Sequence, residues 1–303
     1  MILGQVKLTI VSDGVFWLDG GAHFGIVPRV LWEPLIVLDD RHRVPMGLNC
    51  LLIESAGKRI LVDTGLGDRL SAKRRDMLNL QRDRGLVGAL EQVAVAAEDI
   101  DIVINTHLHA DHCGGNTSLN EDRQAVPTFP RAEYWIQRLE WADARYPNER
   151  TKGTYFSENL VPLEEHGQLR LLYGDTAVTD EVRCIVTRGH TRAHQSVVIR
   201  SQGQTAIYLG DVAPWKENIE RLAWTPAGDV EPLDTIETKR ALQQWALEEE
   251  VLLIFEHDPR ITAGYLRQHG DKLEVEPVDM QHEGPPGPWH TGGIAWQASP
   301  RKR

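Results

Sequence analysis

"INTHLHADHCGG", Ile104 to Gly115, is the stretch whose reading decides this chain. Three histidines and an aspartate, His107, His109, Asp111 and His112, fall within six residues. The preceding "DIVINT" (Asp101–Thr106) reads as a buried strand, and Gly114 and Gly115 let the chain turn. At a strand end alternate side chains point the same way, so His107 and His109 converge on one ion. Asp111 and His112 follow after one residue and, once the chain turns, face a second point. Nitrogen and oxygen donors of this mix suit zinc, and also iron, manganese or cobalt. An HxH pair alone is common on surfaces. HxHxDH emerging from a buried strand is a metal pattern.

Four ligands do not complete two sites, so others must come from further along the chain. Short β-like runs precede each candidate. Val182–Thr187 leads to "RGHTRAH" and His190, Thr205–Leu209 to "GDVAP" and Asp211, and "VLLIF" (Val251–Phe255) to His257. Singly, each is an ordinary capped turn, solvated loop or satisfied histidine. Together they repeat one arrangement at the ends of three strands.

Further strands are predicted at Val6–Ser12, Asn49–Ser55, Lys58–Gly65 and Ser196–Arg200, with hairpin turns at "SAGK" and "SQGQ". Helices are predicted at Leu86–Ala96 and Thr235–Glu250, the latter capped by Asp234. The order strands, helix, strand occurs twice and suggests two related α/β halves packed sheet to sheet. Gly20–Arg43 reads as an irregular, potentially functional loop. The expected organisation is one domain over residues 1–276, with an extended tail over 277–303 on which Trp289 and Trp296 are candidates to dock.

HxHxDH followed by GH, GD and a late strand-end histidine resembles the metallo-β-lactamase superfamily, from about Asn49 to about Pro259. "VDTG" at Val62–Gly65 fits as well. The resemblance implies a four-layered αβ/βα sandwich, with the site on one edge of two sheets. It implies that one metal takes His107, His109 and His190, that a second takes Asp111, His112 and His257, and that Asp211 bridges them. Asp63 resembles the aspartate that orients ligands by hydrogen bonding. "RGHTRAH" departs from the Pro-Gly turn frequent in relatives, but the His190 position is kept. His194 is read as a supporting histidine rather than a ligand, and Cys113 as a small buried residue.

Two divalent ions would hold a bridging water and lower its pKa, so the expected reaction is hydrolysis by metal-bridged hydroxide. Asp111 is the expected catalytic residue, orienting water and carrying a proton. The chain has no G-x-S-x-G nucleophile motif and no Walker A motif. "GAHFGIVPRVLWEP", "WIQRLEWADA" and "TYFSENLVPL" resemble the branch of quorum-quenching N-acyl homoserine lactonases, which is also similar to organophosphate hydrolases. The expected substrate is therefore a small-molecule lactone or ester. Phe24, Trp32, Tyr155 and Trp215 are candidate pocket residues, with plain core packing as their alternative, and Tyr155 is the candidate to assist an oxyanion. The Gly20–Trp32 segment serves equally as pocket wall or as homodimer contact. The rival readings are an organophosphate or aryl-ester hydrolase on the same site, an iron-dependent oxidoreductase of the same fold, and a scaffold that has lost its activity.

The composition agrees with a small-molecule enzyme. The 303 residues are 41% hydrophobic and 25% charged, enough for a sizeable core. A formal charge of −11 argues against nucleic acid and against anionic membrane surfaces. Three cysteines without a CxxC argue against a disulfide framework. "MILGQVKLTIVSDG" has no basic segment leading into a long apolar run, and a cytoplasmic location is the expectation.

Overall fold

The structure is a computed structural model that describes residues 1–280. Its organising feature is the alternation of apolar side chains along short strands. In Lys58–Val62, Ile60 and Val62 face one way and Leu61 the other. Ile102–Ile104, Gln204–Tyr208 and Leu252–Ile254 alternate likewise. Because both faces are covered, these strands read as continuous apolar runs.

The inward-facing set fuses two seven-stranded sheets into one core. Ile60, Val62, Ile102 and Ile104 of the first sheet meet Val197, Ala206, Tyr208, Leu252 and Ile254 of the second. The outward-facing residues of the first sheet, Leu61, Val103 and Tyr134, bury against Leu86 and Leu90 of the helix Gly85–Gln92 and Trp141 of the helix Arg138–Arg145. Those of the second, Val198, Ile207 and Leu253, bury against Leu242 and Ala246 of the helix Pro232–Glu248. The layers are helix, sheet, sheet, helix, the four-layered α/β sandwich expected from the resemblance.

Each sheet contains the same unit. The hairpin Arg43–Ser55 to Lys58–Val62 continues, through a helix, into Ile102–Ile104, which lies parallel to Lys58–Val62. The hairpin Gln195–Ser201 to Gln204–Tyr208 continues, through another helix, into Leu252–Ile254, parallel to Gln204–Tyr208. Both hairpins turn on residues with positive φ, Ala56 (51°) and Gly57 (74°), then Gln202 (50°) and Gly203 (77°), whose twist matches the strands. Asp63 and His107 leave the carboxyl ends of the parallel pair in one sheet, Asp211 and His257 those in the other. Crossed hydrogen bonds join the two ends: the Gly47 N–H donates to His257 O at 2.9 Å and the Gln195 N–H to Thr106 O at 2.8 Å.

Several boundaries differ from the sequence reading. The first strand runs on to Asp19 and its partner begins at Arg43, because Gly14 (φ 119°) takes up a register shift between Ser12 and Val15. The segment between them holds short helices, Gly20–Phe24 and Arg29–Trp32, rather than an irregular loop. Asp234 is not the cap of its helix. The helix starts at Pro232, and Asp234 lies in the first turn, where its charge still meets the positive end of the helix dipole. The chain remains ordered past residue 276: Ala263–His269 pairs with Lys272–Pro277, and Met280 is buried in the inter-sheet core. Trp289 and Trp296 lie outside the described residues.

Candidate metal centre

The two parallel-strand ends bring the candidate ligands together as two adjoining clusters. His107, His109 and His190 form one, and His112, His257 and Asp211 the other. All but Asp111 are largely buried; its carboxylate is 25% exposed. Asp211 touches both clusters. Its Oδ2 lies 3.2 Å from His190 Nε2, and its Oδ1 lies 3.2 Å from His257 Nε2 and 3.5 Å from His112 Nε2. Asp111 approaches only the second cluster, 3.6 Å from His257 Nε2 and 3.9 Å from His112 Nε2.

The surroundings decide which ring nitrogen faces inward. A carbonyl only accepts, so His257 Nδ1 donates to Gly47 O at 2.6 Å and leaves Nε2 towards Asp211. His190 Nδ1 donates to the Asp229 carboxylate at 2.9 Å. Thr106 Oγ1 donates to Asp63 at 2.7 Å, so it accepts from His107 Nδ1 at 3.1 Å. His112 Nδ1 faces two carboxylates, Asp63 at 3.0 Å and Glu256 at 2.8 Å. In every case the opposite nitrogen keeps its lone pair for the interior, the arrangement by which outer partners orient metal-binding histidines.

Those inward lone pairs fit a cation. His109 Nδ1 and His190 Nε2 face each other at 3.0 Å, as do His112 Nε2 and His257 Nε2. Each pair brings two ring nitrogens close enough to share a proton or to hold one cation between them. His107 Nε2 is buried without a hydrogen-bond partner among the described residues. Unsatisfied buried polar atoms of this kind call for a ligand.

The clusters differ in charge. Burial, then the neighbouring imidazoles, hold His107 and His109 well below the usual histidine range. Burial also works against a charge on His112 and His257, but nearby carboxylates outweigh it. Glu256, Asp211 and Asp111 raise His112, and Asp211 and Glu256 bring His257 up to about 9. Burial, then the charge of Asp63, push Glu256 up to about 8. Glu256 meets His112 on Nδ1, the side away from Asp211, and completes the second group of His112, Asp211, Glu256 and His257.

Asp63 itself sits at φ 57°, a left-handed conformation that aspartate tolerates, and accepts the Thr106 N–H at 2.7 Å. His194 has no free nitrogen for a metal: its Nε2 accepts the Asp211 N–H at 3.0 Å, and its Nδ1 donates to Thr187 Oγ1 at 2.8 Å. It therefore fixes the backbone of the shared aspartate. Burial, then the neighbouring His190, lower it to about 3. Cys113 is buried, with its Sγ 3.2 Å from Leu108 O.

The model of the metallo-beta-lactamase superfamily matches residues 43–257, which contain every one of these side chains. The chain belongs to that superfamily. An N-acyl homoserine lactonase of Bacillus thuringiensis is 27% identical over 222 residues, covering 69% of this chain and 80% of the relative. The N-acyl homoserine lactonase AttM of Rhizobium radiobacter is 26% identical, covering 61% and 68%. A crystal structure of a probable metal-dependent hydrolase from Staphylococcus aureus superposes with a TM-score of 0.85 at 25% identity, over 93% of this chain and 99% of that one. AidC, a dizinc quorum-quenching lactonase, shares the fold with a TM-score of 0.76 at 18% identity, over 93% and 97%. This protein is a metal-dependent hydrolase of the metallo-beta-lactamase superfamily.

Within this superfamily member the candidate pocket residues take other places than expected. Tyr155 does not offer a free hydroxyl to an oxyanion. Its OH donates to Glu140 at 3.0 Å while its ring lies 5.1 Å from that of His109. Phe24, Trp32 and Trp215 are at most 4% exposed and form the interior of a separate apolar cluster. Phe24 stacks on Trp32 at 4.6 Å, and Phe16 of the same cluster reaches the His257 ring at 5.8 Å. Core packing is what they show, as a wall behind the second cluster. Four further residues border the site: Asp229, Glu140 and Glu256, and His23, whose ring lies 4.1 Å from that of Trp215. Only Glu256, adjoining His257, carried a signal in the sequence.

Proposed function

We propose that this protein is a dinuclear metallohydrolase that opens a lactone ring of the N-acyl homoserine lactone class. The observation that carries the two-ion reading is Asp211, whose two oxygens address two different histidine clusters. On this reading His107, His109 and His190 hold one ion, Asp111, His112 and His257 hold the other, and Asp211 bridges. Bound there, two divalent cations, zinc in the first instance, supply an acidified water and a Lewis acid for the acyl oxygen. The lactone reading is supported by the relatives named N-acyl homoserine lactonase.

The chain's own residues supply the rest. Opening the ring adds the oxygen of water to the acyl carbon, breaks the ring C–O bond and delivers a proton to the ring oxygen. Asp111, whose carboxylate is more exposed than that of Asp211, carries that proton on this reading. His194, Asp229, Asp63 and the Gly47 carbonyl hold Asp211, His190, His112 and His257 in position. The test is metal quantification on purified protein, followed by a panel of lactones, phosphotriesters and aryl esters with each metal restored. The expected result is two ions per chain and lactone opening as the fastest reaction. Phosphotriester turnover without lactone opening, or one iron per chain with oxidative activity only, overturns the reading.

A further inference from the structure

Glu140 lies on the helix Arg138–Arg145, outside the group of candidate ligands, and is 1% exposed. A buried carboxylate is costly unless donors surround it. Three do. The Leu108 N–H donates to Oε1 at 2.9 Å, the Tyr155 OH to Oε1 at 3.0 Å, and Thr191 Oγ1 to Oε2 at 2.6 Å. Each donor belongs to a different segment; two of the segments carry the histidines of the first cluster, and the third packs against one of them. Leu108 lies between His107 and His109. Thr191 follows His190. Tyr155 packs its ring on His109.

One side chain therefore ties the histidines of the chain's first half to the histidine of its second. The fastening is repeated one helical turn along, where Asp143 pairs with Arg192, the residue after Thr191. The Glu140 carboxylate accepts all three; a glutamine keeps the two bonds to its oxygen and turns its NH2 towards Thr191 Oγ1, replacing the short bond to the charged group by a neutral one. Among the described residues none of Asp111, His112 and His257 itself donates to Glu140.

The structure assigns Glu140 the role of a positioning residue for one metal pocket only. It sets the spacing of His107, His109 and His190, and its loss weakens the ion held there while the neighbouring ion stays. This rests on the two-ion reading above. The test uses the full chain as wild type, Glu140→Gln, Glu140→Ala and Thr191→Val, each titrated with Co(II) and followed by metal content and by the visible spectrum. Wild type binds two ions. Both Glu140 variants bind one with unchanged affinity and the other roughly 10–100-fold more weakly, as for loss of an outer partner. The spectrum of the weakened site changes, and excess Co(II) restores it. Thr191→Val, which removes one donor and keeps the shape, weakens the same ion by a smaller factor.

Wild-type affinity for both ions in the Glu140 variants overturns the assignment, as does equal weakening of both. Should the Glu140 variants fail to fold, Thr191→Val decides: unchanged affinity for both ions overturns it. A wild type that binds a single ion overturns the two-ion reading instead. The Glu140 role then stands or falls on whether its variants alter that ion's spectrum.

Discussion

The two histidine clusters adjoin and share one aspartate, yet carboxylates surround them unequally. Around His107 and His109 the neighbours are imidazoles, a threonine and an aromatic ring, and burial keeps those rings neutral. Around His112 and His257 stand Asp63, Asp111, Asp211 and Glu256, and the rings are drawn towards the charged form. In the first pocket His107 and His109 are kept neutral by burial, while His190, held between Asp211 and Asp229, is raised despite its burial. The second pocket offers negative charge and, in Asp111, a carboxylate more exposed than that of Asp211. On the proposed mechanism this divides the labour: the first pocket is made for fixed geometry, the second for moving a proton.

The largest effect is expected where the two pockets meet. Asp211→Ala removes the one group both use, and metal content measured after dialysis should fall for both ions, with activity lost. Two tightly held ions in that variant would show that the clusters do not depend on a bridge. Asp111→Asn comes next and should separate proton transfer from metal binding. Turnover drops by roughly 10²–10⁴-fold at wild-type metal content, and full activity would remove Asp111 from the chemistry.

A paired comparison then probes the outer partners. Asp229→Ala takes away the only carboxylate on His190 Nδ1 and should weaken the first pocket's ion by roughly 10–100-fold. Glu256→Gln should weaken the second pocket's ion by only a few-fold, because Asp63 still accepts from His112 Nδ1. Competition with a chelator measures both. The reverse order would mean that Glu256, not Asp63, governs His112.

The smallest effect at neutral pH concerns His23, in the aromatic wall behind the second pocket, with its ring 4.1 Å from that of Trp215. Burial, then the like charge of His257, lower it to about 3, and its Nε2 has no partner. The unfolded chain takes up this proton first. The folded state therefore keeps its full stability above pH 6.5 and loses it as pH falls from 6.5 towards 3, by roughly 4 kcal/mol at the acid end. His23→Phe should flatten that limb of a denaturation-versus-pH curve. An unchanged limb would place the acid sensitivity elsewhere.

How much of this was legible varied with the distance over which a residue acts. His107, His109, Asp111 and His112 announce themselves by local spacing, and His190, Asp211 and His257 by their position after apolar runs, because a strand buried on both faces leaves a recognisable run. Asp229 and Glu140 gave no such sign. Asp229 reaches His190 across 39 residues and Glu140 reaches Thr191 across 51, from a loop and a helix whose sequences look like solvated surface. Tyr155 shows the converse: its identity suggested a free hydroxyl, and only the packing of Glu140 beneath it shows that the hydroxyl is engaged.

By itself the sequence determined the strand-end ligands, the doubled α/β unit and the superfamily, since these depend on period-two apolar patterning and on short motifs. Tertiary structure decided which nitrogens of His107, His112, His190 and His257 face inward, which carboxylates meet those rings on the outer side, and that one buried glutamate accepts hydrogen bonds from both halves of the chain. The reason is physical. Patterning is a property of neighbouring residues, whereas tautomer, charge state and orientation are set by partners that meet only when the two sheets close.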